Sequence, residues 1–132
     1  MSLNIQVITP DRVVLSTSAT EAILPSTTGQ VGVLVNHAPL LTAIDVGVLR
    51  FKVDSKWKPL VLFGGFAEVI DDKVTILVNG IAEIDPDARE SVKAELKEAS
   101  EQLDKATTDK EKIAAAVAVK RSSAKVDAYQ FL

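Results

Sequence analysis

The sequence predicts a β + α protein, an N-terminal β-sandwich of about ten short strands followed by a C-terminal antiparallel two-helix hairpin. Two observations lead to this fold class. Up to residue 84, short runs rich in β-branched residues alternate with turn residues, and no helical pattern separates them. From residue 85 onward, apolar residues recur at the period of a helix. We therefore expect two domains in the 132-residue chain, residues 1–84 and residues 85–132.

The strands are predicted from the alternation of apolar and polar side chains, which turns one face of each strand toward a core. Residues 3–8 alternate Leu, Ile and Val with Asn and Gln. Two further strands are expected within residues 12–24, on either side of Ser16-Thr17-Ser18. The other predicted strands cover residues 31–35, 46–53, 56–63, 66–70 and 73–78.

Turn residues separate these runs. Asp54-Ser55 and Asp71-Asp72 each lie between two apolar runs and predict tight connections. Gly64-Gly65 lies inside an apolar run and predicts a bulge or a close approach of another backbone. Asn36-His37-Ala38-Pro39 holds the only histidine of the chain. His37 either fixes this turn through a backbone hydrogen bond or lies on a surface loop that meets a partner.

The first helix is predicted from a cap and an apolar stripe. Asp85 suits the N-cap, and Pro86 suits the first helical position, where no backbone hydrogen bond is lost. The helix is expected to run to about Asp104 and to end before Ala106-Thr107-Thr108. One narrow apolar stripe follows its length, formed by Val92, Leu96, Ala99 and Leu103.

The second helix is expected to begin at a capping box formed by Thr108 and Glu111 and to run to about Tyr129. Because burial stabilises in proportion to apolar area, its seam of Ala and Val holds a partner weakly. Two interpretations follow: a marginally docked hairpin with two positions, or an ordinary two-helix cap on the sandwich. The apolar side of this helix is predicted at Ile113, Val117, Ala124 and Ala128.

Three basic residues, Lys120, Arg121 and Lys125, lie toward the end of the second helix. Cations near a helix C-terminus complement the macrodipole, and this alone can account for them. The alternative is that they present a small basic patch to an acidic partner. Sequence pattern alone does not separate the two interpretations.

Composition excludes several classes of function. The net charge of −3 argues against a general nucleic-acid binder, because phosphate neutralisation needs an excess of Lys and Arg. The absence of cysteine excludes disulfides, thiolate catalysis and Cys-based zinc sites, and a single histidine excludes a His-rich metal site within one chain. No apolar run is long enough for a membrane span, and the first residues lack the basic region of a secretory signal.

The sequence contains few of the motifs from which an enzyme active site could be predicted. Phosphate-binding glycine loops, dinucleotide motifs and the nucleophile elbow are absent from the sequence. A hydrolase would have to use His37 as its base. We therefore expect no catalytic residue, no metal site and no cofactor. A free sensor whose small-molecule ligand closes the hairpin on the sandwich is a further alternative, and it predicts ligand-dependent stabilisation.

Residues 29–51 contain the most specific motif, a glycine-rich entry followed by Gly-Val-Leu, His-Ala-Pro-Leu-Leu-Thr and Gly-Val-Leu-Arg-Phe. In this motif, and over essentially its whole length, the chain resembles the epsilon subunit of the F-type ATP synthase. The resemblance implies a non-catalytic rotor subunit that couples proton flow to ATP synthesis in the alpha/beta catalytic hexamer. It implies that the sandwich binds the gamma subunit and the c-ring, with the c-ring contact on loops matching Gln30, Gly32 and His37.

For the hairpin, the resemblance implies an intrinsic inhibitor of ATP hydrolysis. In the family, the hairpin either lies folded on the sandwich or extends along gamma and blocks hydrolysis. Basic residues of the second helix then approach an acidic stretch of the catalytic beta subunit. Lys120, Arg121 and Lys125 occupy the corresponding place in this chain.

Some bacterial members of this family bind ATP at the start of the hairpin through an Ile/Leu-Asp-x-x-Arg-Ala motif. The corresponding residues here read Ile-Asp-Pro-Asp-Ala-Arg-Glu from residue 84 to residue 90. The arginine comes one residue late, which turns its side chain by about 100° around a helix. Glu90 would also repel a phosphate. A nucleotide site at Asp85 and Arg89 is therefore only a hypothesis.

Three segments are similar to those of epsilon subunits from cyanobacteria and chloroplasts: Leu3-Asn4 through Thr9-Pro10-Asp11-Arg12, Val35-Asn36-His37-Ala38-Pro39 and Lys120-Arg121. This similarity implies a peripheral protein held on the cytoplasmic or stromal side of an energy-coupling membrane by the rest of the complex. In that branch of the family, the membrane is the thylakoid.

Overall fold

The computed structural model describes residues 2–131, which form eight strands and two α-helices. Residues 1 and 132, at the ends of the two predicted domains, lie outside this range. Single turns of 3-10 helix precede the first α-helix and follow the second, at Pro86–Ala88 and Tyr129–Phe131. The strands are β1 (Leu3–Ile8), β2 (Val13–Ala19), β3 (Glu21–Ser26), β4 (Gly29–Leu34), β5 (Leu40–Val53), β6 (Lys56–Ile70), β7 (Lys73–Val78) and β8 (Ile81–Ala82). The helices are α1 (Arg89–Lys105) and α2 (Asp109–Ala128).

The strands follow the order β2-β1-β7-β6-β5-β3-β4, with β8 paired to β6. The pairing of β1 with β7 is parallel, and the remaining pairings are antiparallel. The sheet folds over itself, so that β2 contacts β5 although the two are far apart in strand order. The predicted β-sandwich followed by a helical hairpin is confirmed.

Two long strands, β5 and β6, each run through both layers of the sandwich. Their register skips Asp45 and Gly64, where the pairing is interrupted. On its other side, β6 pairs with β7 from Gly65 onward and with β8 at Val61 and Leu62. The number of strands is smaller than expected because the predicted strands at residues 56–63 and 66–70 are one continuous strand.

The predicted interruption at Ser16-Thr17-Ser18 was wrong, because these residues lie inside β2 and pair with β1. The break between β2 and β3 comes at Thr20 instead. β2 is an edge strand, so one side of it is solvated and accepts short polar side chains. Ser18 Oγ also donates to Asn4 Oδ1 of the neighbouring strand at 3.4 Å.

The predicted close approach at Gly64-Gly65 is confirmed. Gly64 has a φ of 93° and Gly65 a φ of 154°, conformations that residues with a side chain rarely adopt. A Cβ atom at Gly65 would lie 1.9 Å from the carbonyl oxygen of Leu77. Two adjacent glycines therefore allow β6 to change layers while it stays paired.

The core between the layers is aliphatic, as the scarcity of aromatic residues requires. Burying a side chain of this size contributes about 1.5–3 kcal/mol relative to leaving it exposed. The largest fully buried side chains are Leu3, Ile5, Val7, Leu24, Val33, Leu49, Val61, Leu62, Val69, Val74 and Ile76.

The predicted cap at Thr108 is confirmed, whereas Asp85 caps a 3-10 turn that leads into α1, and α1 itself begins at Arg89 without a side-chain cap. The Asp85 carboxylate accepts a hydrogen bond from the Asp87 backbone N–H at 2.9 Å and caps the 3-10 turn that opens with Pro86. Thr108 Oγ1 accepts from the Glu111 N–H at 3.2 Å and caps α2. These caps fix where the hairpin begins and where it turns.

The two predicted helix stripes had different outcomes. In the α1 stripe, formed by Val92, Leu96, Ala99 and Leu103, Ala99 is buried and the other three residues are partly buried. On α2 the prediction was half wrong: Ile113 is 67% exposed and Val117 is 44% exposed. Because residues 113–119 are all apolar, their pattern does not define one side of the helix. Packing selects the smallest side chains instead, and the buried residues of α2 are Ala115, Ser122, Ala124 and Ala128.

Candidate functional site

The hairpin docks on the outer face of one sandwich layer through α2. Ala124 and Ala128 pack against Val61 in a small buried cluster. The surrounding partly buried residues are Val46, Val48, Phe63, Ala82 and Ile84. Within this cluster the helix contributes two methyl groups, so α2 itself buries little apolar area there.

Strand alternation explains why this outer face is apolar. In β5, Leu49 and Phe51 point into the core, so their neighbour Val48 points outward. In β6, Leu60 and Leu62 belong to the core cluster, while Val61 belongs to the hairpin cluster. These strands carry apolar residues on both faces, and the outer set is covered by the hairpin.

Within residues 2–131, one ion pair joins the hairpin to the sandwich. Lys120 Nζ donates to Asp45 Oδ1 at 2.6 Å, and both side chains are partly exposed, at 53% and 41%. The same carboxylate oxygen accepts from the Val46 backbone N–H at 2.8 Å. The hydrogen bond from Lys120 lowers the pKa of Asp45, assisted by the Val46 N–H and opposed by partial burial. Asp45 is therefore held as an anion facing α2.

Arg121 and Lys125 lie on a different side of α2 from Lys120. The Arg121 guanidinium lies over the Phe63 ring, 4.8 Å from its centroid. Lys125 Nζ donates to Glu95 Oε1 of α1 at 3.1 Å. Thus the structure brings Arg121 and Lys125 into one cleft and places Lys120 in another, and each of the three has a partner within the chain.

Two aromatic residues fix the end of the hairpin, one to the start of the hairpin and the other to the sandwich. Tyr129 Oη donates to the backbone carbonyl oxygen of Asp85 at 2.6 Å. The Arg50 guanidinium lies 4.4 Å from the centroid of the Phe131 ring. Arg50 also donates to Gln30 Oε1 at 3.0 Å. A cleft of about 710 Å³ remains between the sheet, near Gly47, and α2.

Gln30 and Gly32 lie on the exposed side of β4, whereas His37 lies beyond the end of that strand. The rise of a strand is about 3.3 Å per residue, so the path from Gln30 to Leu34 alone is about 13 Å. Gln30 is close to the docked end of the hairpin through Arg50. His37 is therefore not part of the same local cluster as Gln30.

His37 is half-buried in a tight turn. Its Nδ1 lies 2.6 Å from the Ala38 carbonyl oxygen, which can only accept, so Nδ1 carries the proton in this contact. The His37 N–H donates to the Leu34 carbonyl at 3.2 Å. Asn36, with a φ of 69°, donates its N–H to the Asp72 carboxylate at 2.6 Å. These bonds fix the turn against the β6–β7 connection.

The opposite outer face carries an exposed apolar row. In-register pairing places Phe66 beside Leu77, Leu77 beside Ile8, and Ile8 beside Val13. Phe66 is 60% exposed, and Leu77 and Val13 are more than half exposed. We call these four residues the apolar row. It crosses four strands on the layer away from the hairpin.

Sequence reasoning identified the cations of α2 but missed their partners. Asp45, Phe63 and Glu95 each belong to a contact that involves one of these cations. One signal was available for Asp45: it is an acid inside the otherwise apolar segment 43–49. Phe63 and Glu95 had no comparable signal, because their pairing depends on where the hairpin docks.

Two kinds of feature are absent from residues 2–131. No group of three or more His, Asp or Glu side chains is placed to hold a metal ion. No helix in this range combines the length and the apolar character needed to cross a bilayer.

Comparisons with known proteins agree on one family. The family model described as "ATP synthase, Delta/Epsilon chain, beta-sandwich domain" matches residues 2–84. The chloroplastic ATP synthase epsilon chain of Gracilaria tenuistipitata var. liui is 50% identical over all of this chain and 98% of its own length. That of Guillardia theta is 48% identical, over 97% of this chain and 98% of its own length.

A similar fold occurs in a solved structure, the OSCP/F1/c-ring part of the Euglena gracilis mitochondrial ATP synthase. One chain of that complex superposes with a TM-score of 0.79 and is 22% identical. The match covers 92% of this chain and 78% of the other. At this identity, the likeness describes the fold alone.

Proposed function

The chain belongs to the ATP synthase delta/epsilon family as an epsilon chain, and on this premise we propose that it couples rotation to catalysis and restrains ATP hydrolysis. The sandwich domain, residues 1–84, serves as the mount on the rotor. The hairpin domain, residues 85–132, serves as the regulatory arm. The chain itself catalyses nothing, and its partners are the gamma subunit, the c-ring and the alpha/beta hexamer.

The apolar row supports the role of the sandwich as a mount. Exposed apolar surface that crosses several strands marks an interaction site more often than single exposed residues do. Phe66, at the β6 end of the row, is its largest and most exposed side chain, and a large aromatic side chain of this kind can serve as an anchor for a partner. We assign this face to the gamma subunit. The c-ring contact remains assigned to Gln30, Gly32 and His37.

The docked hairpin has two features that support a second position. The buried contact of α2 with the sandwich is built on Ala124 and Ala128, so this helix loses little apolar contact area when it leaves. Ile113 and Val117 are already exposed in the docked state. A helix that is apolar all round is usually buried on all sides. Extension between other subunits would give these side chains a partner.

The basic residues of α2 carry the proposed inhibition. We propose that Lys120, Arg121 and Lys125 bind an acidic stretch of the catalytic beta subunit when the hairpin extends. The supporting observation is that all three lie on the docking half of α2 and hold local anionic or aromatic partners while docked. Undocking frees Lys120 and Arg121 from their sandwich partners, and Lys125 then has to exchange Glu95 of α1 for the acidic surface.

The test is ATP hydrolysis by an epsilon-depleted chloroplast-type ATP synthase after the chain is added back. Replacing Lys120, Arg121 and Lys125 by Ala should weaken inhibition and reduce its sensitivity to salt, because exposed ion pairs are screened. The matched control replaces Lys105, Lys110 and Lys112 by Ala, which removes the same charge at the tip of the hairpin. Full inhibition by the first variant would show that these cations serve only the helix.

A nucleotide at Asp85 and Arg89 remains a separate proposal. The carboxylate of Asp85 already caps the Pro86–Ala88 turn, and its carbonyl oxygen already accepts from Tyr129. A bound phosphate would have to coexist with these bonds. An isothermal titration that gives no heat at millimolar ATP would remove this proposal.

The relatives carry chloroplastic names, and we propose a plastid or cyanobacterial type of complex for this chain. The protein would then lie on the stromal or cytoplasmic side of the thylakoid membrane, held by its partner subunits. Co-sedimentation of the chain with thylakoid membranes tests this location. The chain should co-sediment when the complex is complete and should not do so when the gamma subunit is missing.

A further inference from the structure

We propose that Asp45 takes the place, in the docked hairpin, of the acidic partner that Lys120 binds when the hairpin extends. While this ion pair holds, Lys120 is not available for inhibition. This inference rests on the proposed inhibitory function and names how that function is regulated. Docking and inhibition would compete for the same ammonium group.

The Lys120–Asp45 pair is suited to this role because it spans two domains. Among residues 2–131, the ion pairs are Lys120–Asp45 and Lys125–Glu95. The second pair lies within the hairpin, between α2 and α1, and therefore makes no connection to the sandwich. Only the first pair must break when α2 leaves the sheet.

Asp45 is positioned in advance by the sandwich. It lies where the β5–β6 register is interrupted, between the two layers. Its carboxylate oxygen is oriented by the Val46 N–H at 2.8 Å, a bond that does not depend on the hairpin. An oriented carboxylate needs little further ordering to accept Lys120, so it acts as a ready counter-ion.

Two other contacts between the hairpin and the sandwich, one from α2 and one from the turn that follows it, are also broken on undocking. Arg121 would lose the Phe63 ring, and Arg50 would lose Phe131 at the end of the chain. Neither contact neutralises a charge, because both partners are aromatic. Asp45 is therefore the one group of the sandwich, within the described residues, whose charge is set directly against a proposed inhibitory cation.

The test uses Asp45→Asn in the full chain. Asn keeps the oxygen that accepts from Val46 and loses the negative charge. The matched control is Asp54→Asn, which removes the same charge in an exposed turn where φ is 51°, a conformation that Asn accepts. Because the chain contains no cysteine, Lys56→Cys and Lys110→Cys can carry a spin-label pair in each variant.

The first readout is the distance distribution between the labels in the isolated chain. D45N should raise the ratio of extended to docked hairpin by about 2–5-fold, the range of a partly exposed ion pair, and D54N should leave it unchanged. The second readout is inhibition of ATP hydrolysis, which should become stronger with D45N. An unchanged distance distribution in D45N would overturn the inference.

A charge exchange separates docking from inhibition. D45K combined with K120E should recover the docked population that either change alone reduces. It should not recover inhibition, because the cation is no longer on α2. A further outcome is that D45N extends the hairpin while D45N and D45K/K120E both leave ATP hydrolysis at the level seen with the original chain. In that case the Asp45 contact is still a docking restraint, and the proposed inhibitory function is wrong. If the exchange does not recover docking, the pair itself does not hold the hairpin.

Discussion

Gly65 shows how far a single residue can determine the fold of the sandwich. It lies where β6 passes from one layer to the other, and its φ of 154° lies in the range that favours glycine. The Leu77 carbonyl oxygen occupies the place that a Cβ atom would take. A side chain here would have to move backbone rather than a flexible neighbour.

We therefore expect Gly65→Ala to reduce the free energy of unfolding by about 2–4 kcal/mol, as overpacking against fixed backbone does. Gly32→Ala is the control, because no atom lies within 4 Å of its Cβ position. That variant should remain within about 0.5 kcal/mol of the original protein. Urea unfolding followed by the single tryptophan measures both. Equal stability of the two variants would contradict the close contact at Gly65.

Other residues show what sequence could and could not predict. The caps at Asp85 and Thr108 are local features, read directly from spacing and later found with their hydrogen bonds. The close backbone approach at Gly64-Gly65 was also predicted, because paired glycines inside an apolar run are typical of such a contact. The role of Asp45 was not predicted, because a contact between residues 45 and 120 depends on the tertiary arrangement.

At the scale of the element, the sequence did not predict which side of α2 faces the sandwich. Seven consecutive apolar residues, 113–119, surround the helix. No periodicity distinguishes a buried side from an exposed side in such a segment. The docked side is chosen by size, because alanine lets the helix lie close to Val61. The stripe of α1 was predicted correctly because its opposite face is charged.

Docking of this element should depend on pH through Asp45. The pKa of Asp45 is lowered in the docked state by the hydrogen bond from Lys120. A lowered pKa means that the pair stabilises docking above the usual aspartate pKa and loses this effect as the pH falls through the depressed value. The docked population should therefore be constant between about pH 6 and 8 and should decline below about pH 4.

Label distances in the isolated chain, measured across this pH range, provide the check. The effect is small, since a partly exposed pair contributes less than about 1 kcal/mol. In D45N the step attributed to this carboxylate should disappear, while any general acid unfolding remains. Retention of the same step in D45N would assign it to another group.

At the scale of the whole molecule, the two outer faces of the sandwich differ in how they are used. One carries the hairpin on Val61 and its neighbours, and the other presents the apolar row to solvent. Under the proposed function, the sandwich separates a permanent contact with the rotor from a reversible contact with the hairpin. This arrangement suits a subunit that stays bound to a rotor while one arm changes position.

The family was predicted from the motif in residues 29–51, and full-length relatives confirm it. The architecture follows from local periodicity, because strands and helices occupy separate halves of the chain. Contacts between the halves were not predictable, since they involve small residues and single charges rather than a strong apolar pattern. The Lys120–Asp45 contact belongs to this second group.

The central claim is that the hairpin inhibits while the sandwich binds. The most direct measurement is ATP hydrolysis by an epsilon-depleted chloroplast-type ATP synthase, with the full chain or with residues 1–84 added, and with binding and folding of each form verified. Both forms should bind, and only the full chain should inhibit. Equal inhibition by the two forms would contradict the claim, because the hairpin would then have no part in it.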